Sequence, residues 1–153
     1  MTDLPERRVC LEAAGNRFVV VDALTGPPPR DASALAVEVC ENPGGLWKDG
    51  EKGPAHGLLL LFPGADSGSG SLRMVVHNAD GSRAEACGNG LRCVGVWAVA
   101  RGQAASGRLV IETDGGQRWV DVDQVASRAR SGLGPVQWVR SGLEVQLDYD
   151  LVA

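Results

Sequence analysis

The segment Asn78-Ala-Asp-Gly-Ser-Arg-Ala-Glu-Ala-Cys87-Gly-Asn-Gly-Leu-Arg-Cys93 is the stretch from which the rest of the chain can be read. Asp80-Gly81, flanked by Leu72–His77 and Ser82–Ala86, is a strong hairpin signal. Cys87 then stands directly before Gly88-Asn89-Gly90 and an apolar run, Leu91–Ala100, that reads as a helix from Asn89 to about Arg101. A helix start leaves backbone N–H groups unpaired and carries a partial positive charge. A cysteine held there is expected to have a lowered pKa and thiolate character. The same N–H groups can bind a carboxylate. The pattern is a proton-abstracting sulfur beside an anion cradle, as chemistry at the α-carbon of an amino acid requires.

Working outward, the Leu91–Ala100 run is apolar nearly all round, with Arg92 its only charge. Such a helix belongs inside a fold, surrounded by sheet. Short strands are expected at Arg8–Leu11 and Phe18–Val21 around a Gly15-Asn16 turn. Asp31 is the expected N-cap of a helix running to about Cys40. Asn42–Gly57, rich in glycine and proline, reads as loop, and Leu58–Phe62 as a buried strand stopped by Pro63. Arg108–Glu112 and Gln117–Val122 form a second expected hairpin across Gly115-Gly116, and Val136–Arg140 and Glu144–Tyr149 read as later strands. Many short strands around few helices predict an α+β fold: a curled, largely antiparallel or mixed, barrel-like β-sheet around a central α-helix.

Length and charge narrow the function classes. At 153 residues the chain suits a single domain, 1–153, able to bury roughly 68–70% of its unfolded surface. A net charge of −4 and the lack of a basic stripe argue against nucleic acid or an acidic membrane surface as partner. Met1–Arg8 has no apolar core, which speaks against a signal peptide. The longest apolar runs are too short to span a bilayer, so a cytoplasmic protein with reduced cysteines is expected. Metal binding is not expected: there is no C-x-x-C pair, and Cys87 and Cys93, six apart on a helix, point in different directions. The only lysines, Lys48 and Lys52, lie in a polar loop unsuited to a Schiff base, so no pyridoxal phosphate or other cofactor is implied. Trp47, Trp97, Trp119 and Trp138 read as packing residues, and His56 and His77 show no triad partners.

The Asn78–Cys93 segment resembles the first cysteine motif of diaminopimelate epimerase, a family of cofactor-independent amino-acid epimerases and racemases. Gly15-Asn16-Arg17-Phe18-Val-Val-Val-Asp22 looks like that family's N-terminal motif, Gly57-Leu-Leu-Leu-Leu61 like its following strand, and Gly132-Leu-Gly-Pro135 like the close of its first half. The resemblance implies one of two similar halves, each a barrel-like sheet around a helix, with the substrate in the cleft between them and one cysteine from each half facing the α-carbon. Nothing after Arg101 in this sequence contains a cysteine, so a second acid/base is missing from it. The resemblance further implies a small-molecule amino-acid substrate, conversion of LL- to meso-diaminopimelate on the route to lysine and peptidoglycan precursor, and a homo-oligomer or a missing C-terminal half as partner. The sequence departs from the family pattern at Arg17, where Asp is usual, at Gly57 and at His77.

By the same resemblance Cys87 is the catalytic acid/base. Gly88 and Asn89 offer backbone N–H groups to the α-carboxylate, while Asn16 and Asn78 contact the distal end and the ligand backbone. A two-residue hairpin at Asp80-Gly81 would set Cys87 opposite Met74, about 13 Å along the strand from Asn78. Asn78 is therefore carried on resemblance alone. Two other functions stay open: a non-catalytic half-domain that binds an amino acid or a partner chain, and a racemase of the same fold with another substrate.

Overall fold

The computed structural model describes residues 7–44, 47, 50–66 and 71–134. The strands expected at Val136–Arg140 and Glu144–Tyr149, together with Trp138 and Lys48, lie outside the described residues. In chain order the elements are β1 (Arg8–Ala13), β2 (Asn16–Asp22), α1 (Ala32–Glu41), β3 (Gly57–Pro63), β4 (Leu72–Asn78), β5 (Arg83–Ala84), α2 (Gly88–Ala100), β6 (Gly107–Thr113), β7 (Gly116–Asp123) and β8 (Arg128–Gly132). One mixed sheet runs β1-β2-β3-β4-β6-β7-β8, with β5 hanging from β4. Its parallel neighbours are β2 with β3 and β4 with β6.

The sheet curls around α2, which packs against β1, β2, β4, β7 and β8, and α1 covers the outer face of β2, β3 and β4. Strand alternation divides the apolar side chains between these two layers. On β2, Phe18 and Val20 join the inner core with Leu91, Val94 and Ala98 of α2. Val19 and Val21 join the outer core with Leu35, Ala36 and Val39 of α1. Because both faces of β3 are covered, Leu58–Leu61 is apolar without a break, as a doubly buried strand must be. Asp31 caps α1 as expected, its carboxylate accepting from the Ala34 N–H at 2.9 Å.

Four local expectations needed correction, and one strand was not expected at all. The first turn is Ala14-Gly15, both at positive φ, and Asn16 already belongs to β2. That two-residue geometry matches the strand twist, whereas a Gly15-Asn16 turn would shift the pairing. The β6–β7 turn is Asp114-Gly115, since Gly116 pairs with Thr113. The β4–β5 loop holds three residues, Ala79 to Gly81, with Asn78 N–H donating to Ser82 O at 2.8 Å. Gly81 takes φ +85, and a Cβ there would lie 2.6 Å from Ser33 Oγ, so contact with α1 selects the longer loop. Strand β5 ends after Ala84, because the Glu85 carbonyl accepts instead from Gly115 N–H of the β6–β7 turn. Finally, β8 was not foreseen. Its sequence, RARSG, alternates charged and small residues and has no apolar signal to count.

The helix is held close to the sheet through Gly95. A Cβ there would stand 2.8 Å and 2.9 Å from the Val120 methyls and 3.0 Å from Val122 Cγ2. Gly95→Ala would gain up to about 1 kcal/mol in helix propensity but overpack the contact by about 1–3 kcal/mol. A net loss of stability is expected in urea titration, and a gain would show that the α2–β7 contact is loose.

Strands β4 and β6 share only two residue pairs, and Asp114 reinforces this weak seam. Its carboxylate takes Arg73 of β4 at 2.7 Å and the Arg83 guanidinium of β5. The Arg83 guanidinium, foremost, holds the Asp114 carboxyl below its ordinary value of 3.8. A depressed folded-state value means stability present at neutral pH and lost as pH falls through the depressed value. Asp114→Asn is therefore expected to be less stable than wild type at pH 7, with the difference closing below pH 3.8 on acid titration.

Candidate active site

The start of α2 is the site's foundation. The helix begins one residue earlier than expected, at Gly88, and Cys87 is its N-cap: its backbone is extended (φ −144, ψ 115), and its Sγ accepts from the Gly90 N–H at 3.4 Å. Leu91 N–H goes to the Cys87 carbonyl at 2.8 Å. The N–H groups of Gly88 and Asn89 are thus left without a partner among the described residues, side by side with the sulfur. Packing is tight at Gly90, where a Cβ would lie 3.1 Å from Leu59 Cδ2 and push that side chain aside.

A second set of contacts aligns this first turn from the side. Ser131 of β8 donates its hydroxyl to Gly88 O at 2.9 Å and accepts from Arg92 Nη1 at 3.3 Å. Arg92 Nη2 also donates to Asn89 Oδ1. That contact fixes which way the Asn89 amide faces and leaves its NH2 group turned away from Arg92. Ser131 lay beyond sequence reasoning because β8 did. A charged–small alternation opposite the Val120 strand was the only available signal.

The two asparagines come to the same end of the inner face. Phe18 pairs with Gly57, and Gly57 with Asn78, so the start of β2, the start of β3 and the end of β4 stand in one row. Asn16 lies two residues before Phe18, and Asn78 two after Val76, both inner-core residues, so both asparagines share the α2 face. Leu59, two residues beyond Gly57, touches the first turn of α2. The pairing that would set Cys87 opposite Met74 does not form, since β5 ends at Ala84 and the chain crosses to α2. Asn78 Nδ2 donates to Ser82 Oγ at 2.9 Å, and its Oδ1 has no partner among the described residues. The Asn16 side chain makes no hydrogen bond among them.

The other singled-out residues are placed elsewhere. Cys93 is 5% exposed, and burial foremost, then the neighbouring Cys87, pushes its thiol up to about 12. Burial pushes Cys40 up to about 11 and raises Cys10 against the opposing pull of Arg8. His77 points into the outer layer, its Nδ1 3.2 Å from Gly81 O, and His56 Nδ1 accepts from Arg17 N–H at 2.9 Å. Trp47 and Trp97 are core residues, and Arg108 stacks over Trp119 at 4.3 Å. Among the described residues no helix is long and apolar enough to cross a membrane.

A sulfur at a helix start, two free amides and inward asparagines at one end of a curled sheet are features that place the chain in a class. A solved hydroxyproline epimerase from Agrobacterium vitis shares the fold, with a TM-score of 0.50 at 17% identity, over 74% of this chain and 36% of that one. The family model described as diaminopimelate epimerase matches residues 10–139. A diaminopimelate epimerase of Desulforudis audaxviator is 41% identical over 103 residues, covering 67% of this chain and 34% of the relative. An O-ureido-serine racemase of Streptomyces lavendulae is 36% identical over 112 residues, covering 73% and 36%. The chain belongs to the diaminopimelate epimerase family. It spans about a third of the length of these two curated relatives.

Two outcomes are expected of this geometry. In the folded protein iodoacetamide should label Cys87 well before Cys40 and Cys93, with the difference vanishing in guanidinium; equal labelling of Cys93 under native conditions would contradict the burial described. Ser131→Ala should cost about 1 kcal/mol in denaturant titration, and it should alter the amide NMR shifts of Gly88 and Asn89 more than those of α1.

Proposed function

We propose that this chain is one half of a cofactor-independent amino-acid epimerase acting on diaminopimelate, with Cys87 as one of two acid/base groups. The observation that carries the reading is the pairing of Cys87 Sγ with the two unassigned N–H groups of Gly88 and Asn89. In the reaction the Cys87 thiolate takes the α-proton and becomes a thiol, and the electron pair of the C–H bond moves onto the α-carbon and its carboxylate. The Gly88 and Asn89 amides stabilise that growing negative charge, a contribution that needs no reorganisation at the moment of reaction. Reprotonation from the opposite face requires a second acid, supplied by residues outside this sequence, on a second half or a partner chain. In the reverse direction Cys87 is the acid. Asn16 and Asn78 hold the rest of the substrate, Asn78 through its unpaired Oδ1, which suits an ammonium.

A second substrate has specific support. The Streptomyces lavendulae relative is named for O-ureido-serine, so the same half-site chemistry on a different amino acid remains a reading of this family's scaffold. Binding without turnover is the third.

Solvent exchange separates them. In deuterated water the chain is expected to wash out the α-proton of one diaminopimelate stereoisomer, because one base on one face suffices for removal and return. Cys87→Ser should lower the exchange rate by about 10²–10⁴-fold. Exchange with other amino acids but not diaminopimelate would favour another racemase. No exchange at all, with amino-acid binding retained, would favour the non-catalytic reading.

A further inference from the structure

The outer layer carries a cavity that the site at the α2 start does not use. It has a volume of about 250 Å³ and lies over β3, β4 and β5 beside the start of α1. Strand register places its walls. Leu60 pairs with Val75 at the centre, Phe62 with Arg73 at one end, and His77 with Arg83 at the other. Leu60 and Val75 belong to the core under α1, so the cavity lies on the face of the sheet away from α2 and Cys87.

Its polar groups form an uncommon set. Two guanidiniums and one imidazole line the cavity, and no carboxylate does. Both guanidiniums are held by Asp114, whose Oδ1 takes Arg73 at 2.7 Å and Arg83 at 3.0 Å. One aspartate between two arginines leaves an excess of one positive charge. It also fixes both side chains in advance, which lowers the entropy cost of receiving an anion. Arg73 Nε and Nη1 and Arg83 Nη1 have no partner among the described residues. Guanidinium donors of this kind suit a carboxylate.

His77 adds a second, independent observation. It is only 6% exposed, yet it lines the cavity. Its Nδ1 lies 3.2 Å from the Gly81 carbonyl, so in the neutral ring Nδ1 carries the hydrogen and Nε2 is an acceptor. That Nε2 has no partner among the described residues, and a buried polar atom left unpaired calls for an explanation. His77 is also one of the positions at which the sequence departs from the family pattern. A ligand that satisfies the whole cavity therefore carries a carboxylate, a hydrogen-bond donor and a short apolar body.

We propose that this cavity is a second binding site, for a small apolar hydroxy acid. Its carboxylate sits on Arg73 and Arg83, its hydrocarbon on Leu60, Phe62 and Val75, and its hydroxyl donates to His77 Nε2. An ammonium in place of the hydroxyl would face two guanidiniums, which disfavours an amino acid. The site stands apart from the reading of Cys87, because it uses the opposite face of β4.

Titration calorimetry on the full chain tests this with leucic acid, isocaproic acid and leucine. The three share one isobutyl chain and differ only in a hydroxyl, a hydrogen or an ammonium beside the carboxylate. Leucic acid should bind about three- to tenfold more tightly than isocaproic acid, and leucine more weakly than leucic acid. His77→Phe should bring the ratio of the two acids to near one while isocaproic acid still binds. His77→Asn, whose amide can still donate to Gly81 O, serves if the phenylalanine variant does not fold. Val75→Leu, which fills the cavity from its floor and leaves the arginines in place, should weaken both acids. Prior alkylation of Cys87 with iodoacetamide should change none of these affinities. Failure of both acids to bind at millimolar concentration would overturn the proposal. So would equal affinity for the two acids in wild type, a ratio that survives in the His77 variants, a preference for leucine, or loss of binding on alkylation of Cys87.

Discussion

The burial of α2 inside the curl of the sheet is the constraint on which the rest depends. An apolar helix enclosed by strands has one lateral position, because Gly95 meets the methyls of Val120 and Val122 and Gly90 meets Leu59. At Gly95 there is no room for a Cβ and at Gly90 very little, so the helix lies close against the strands on both sides. Its N-terminus is thereby delivered to one place at the sheet's end. The sulfur of Cys87 is held by the helix it caps, and the helix by the strands.

That arrangement also explains why four cysteines behave so differently. Cys93 and Cys40 fill the two cores as small apolar side chains, and burial raises both thiols far above neutral pH. Cys87 is only partly buried: it packs against the edge of the inner core and accepts from the Gly90 N–H. The difference lies six residues apart on one segment, between the mouth of the helix and its interior.

The inner face divides the work by strand. Strands β2, β3 and β4 bring Asn16 and Asn78 to the row that starts at Gly57, while β8 brings Ser131 against the α2 start. The helix mouth sits between the two groups.

Much of this was legible in the chain itself. Asp31 as cap, the doubly buried Leu58–Leu61 strand and the all-round apolar helix after Cys87 were readable because local patterns carry them: a capping residue, an unbroken apolar run, a missing polar face. The cysteine at the helix start followed from the same pattern, whereas Asn16 and Asn78 were singled out by the resemblance alone. Tertiary contacts decided the rest. Ser33 of α1 against Gly81 set the loop length and so the register of β4 with β5, and the Gly115 amide drew the chain off β4 at Glu85. Strand β8, and with it Ser131, exists because β7 offers an unpaired edge, not because RARSG favours extension. Periodicity and capping are encoded within a few residues; register, edge pairing and electrostatic company are settled only when distant segments meet.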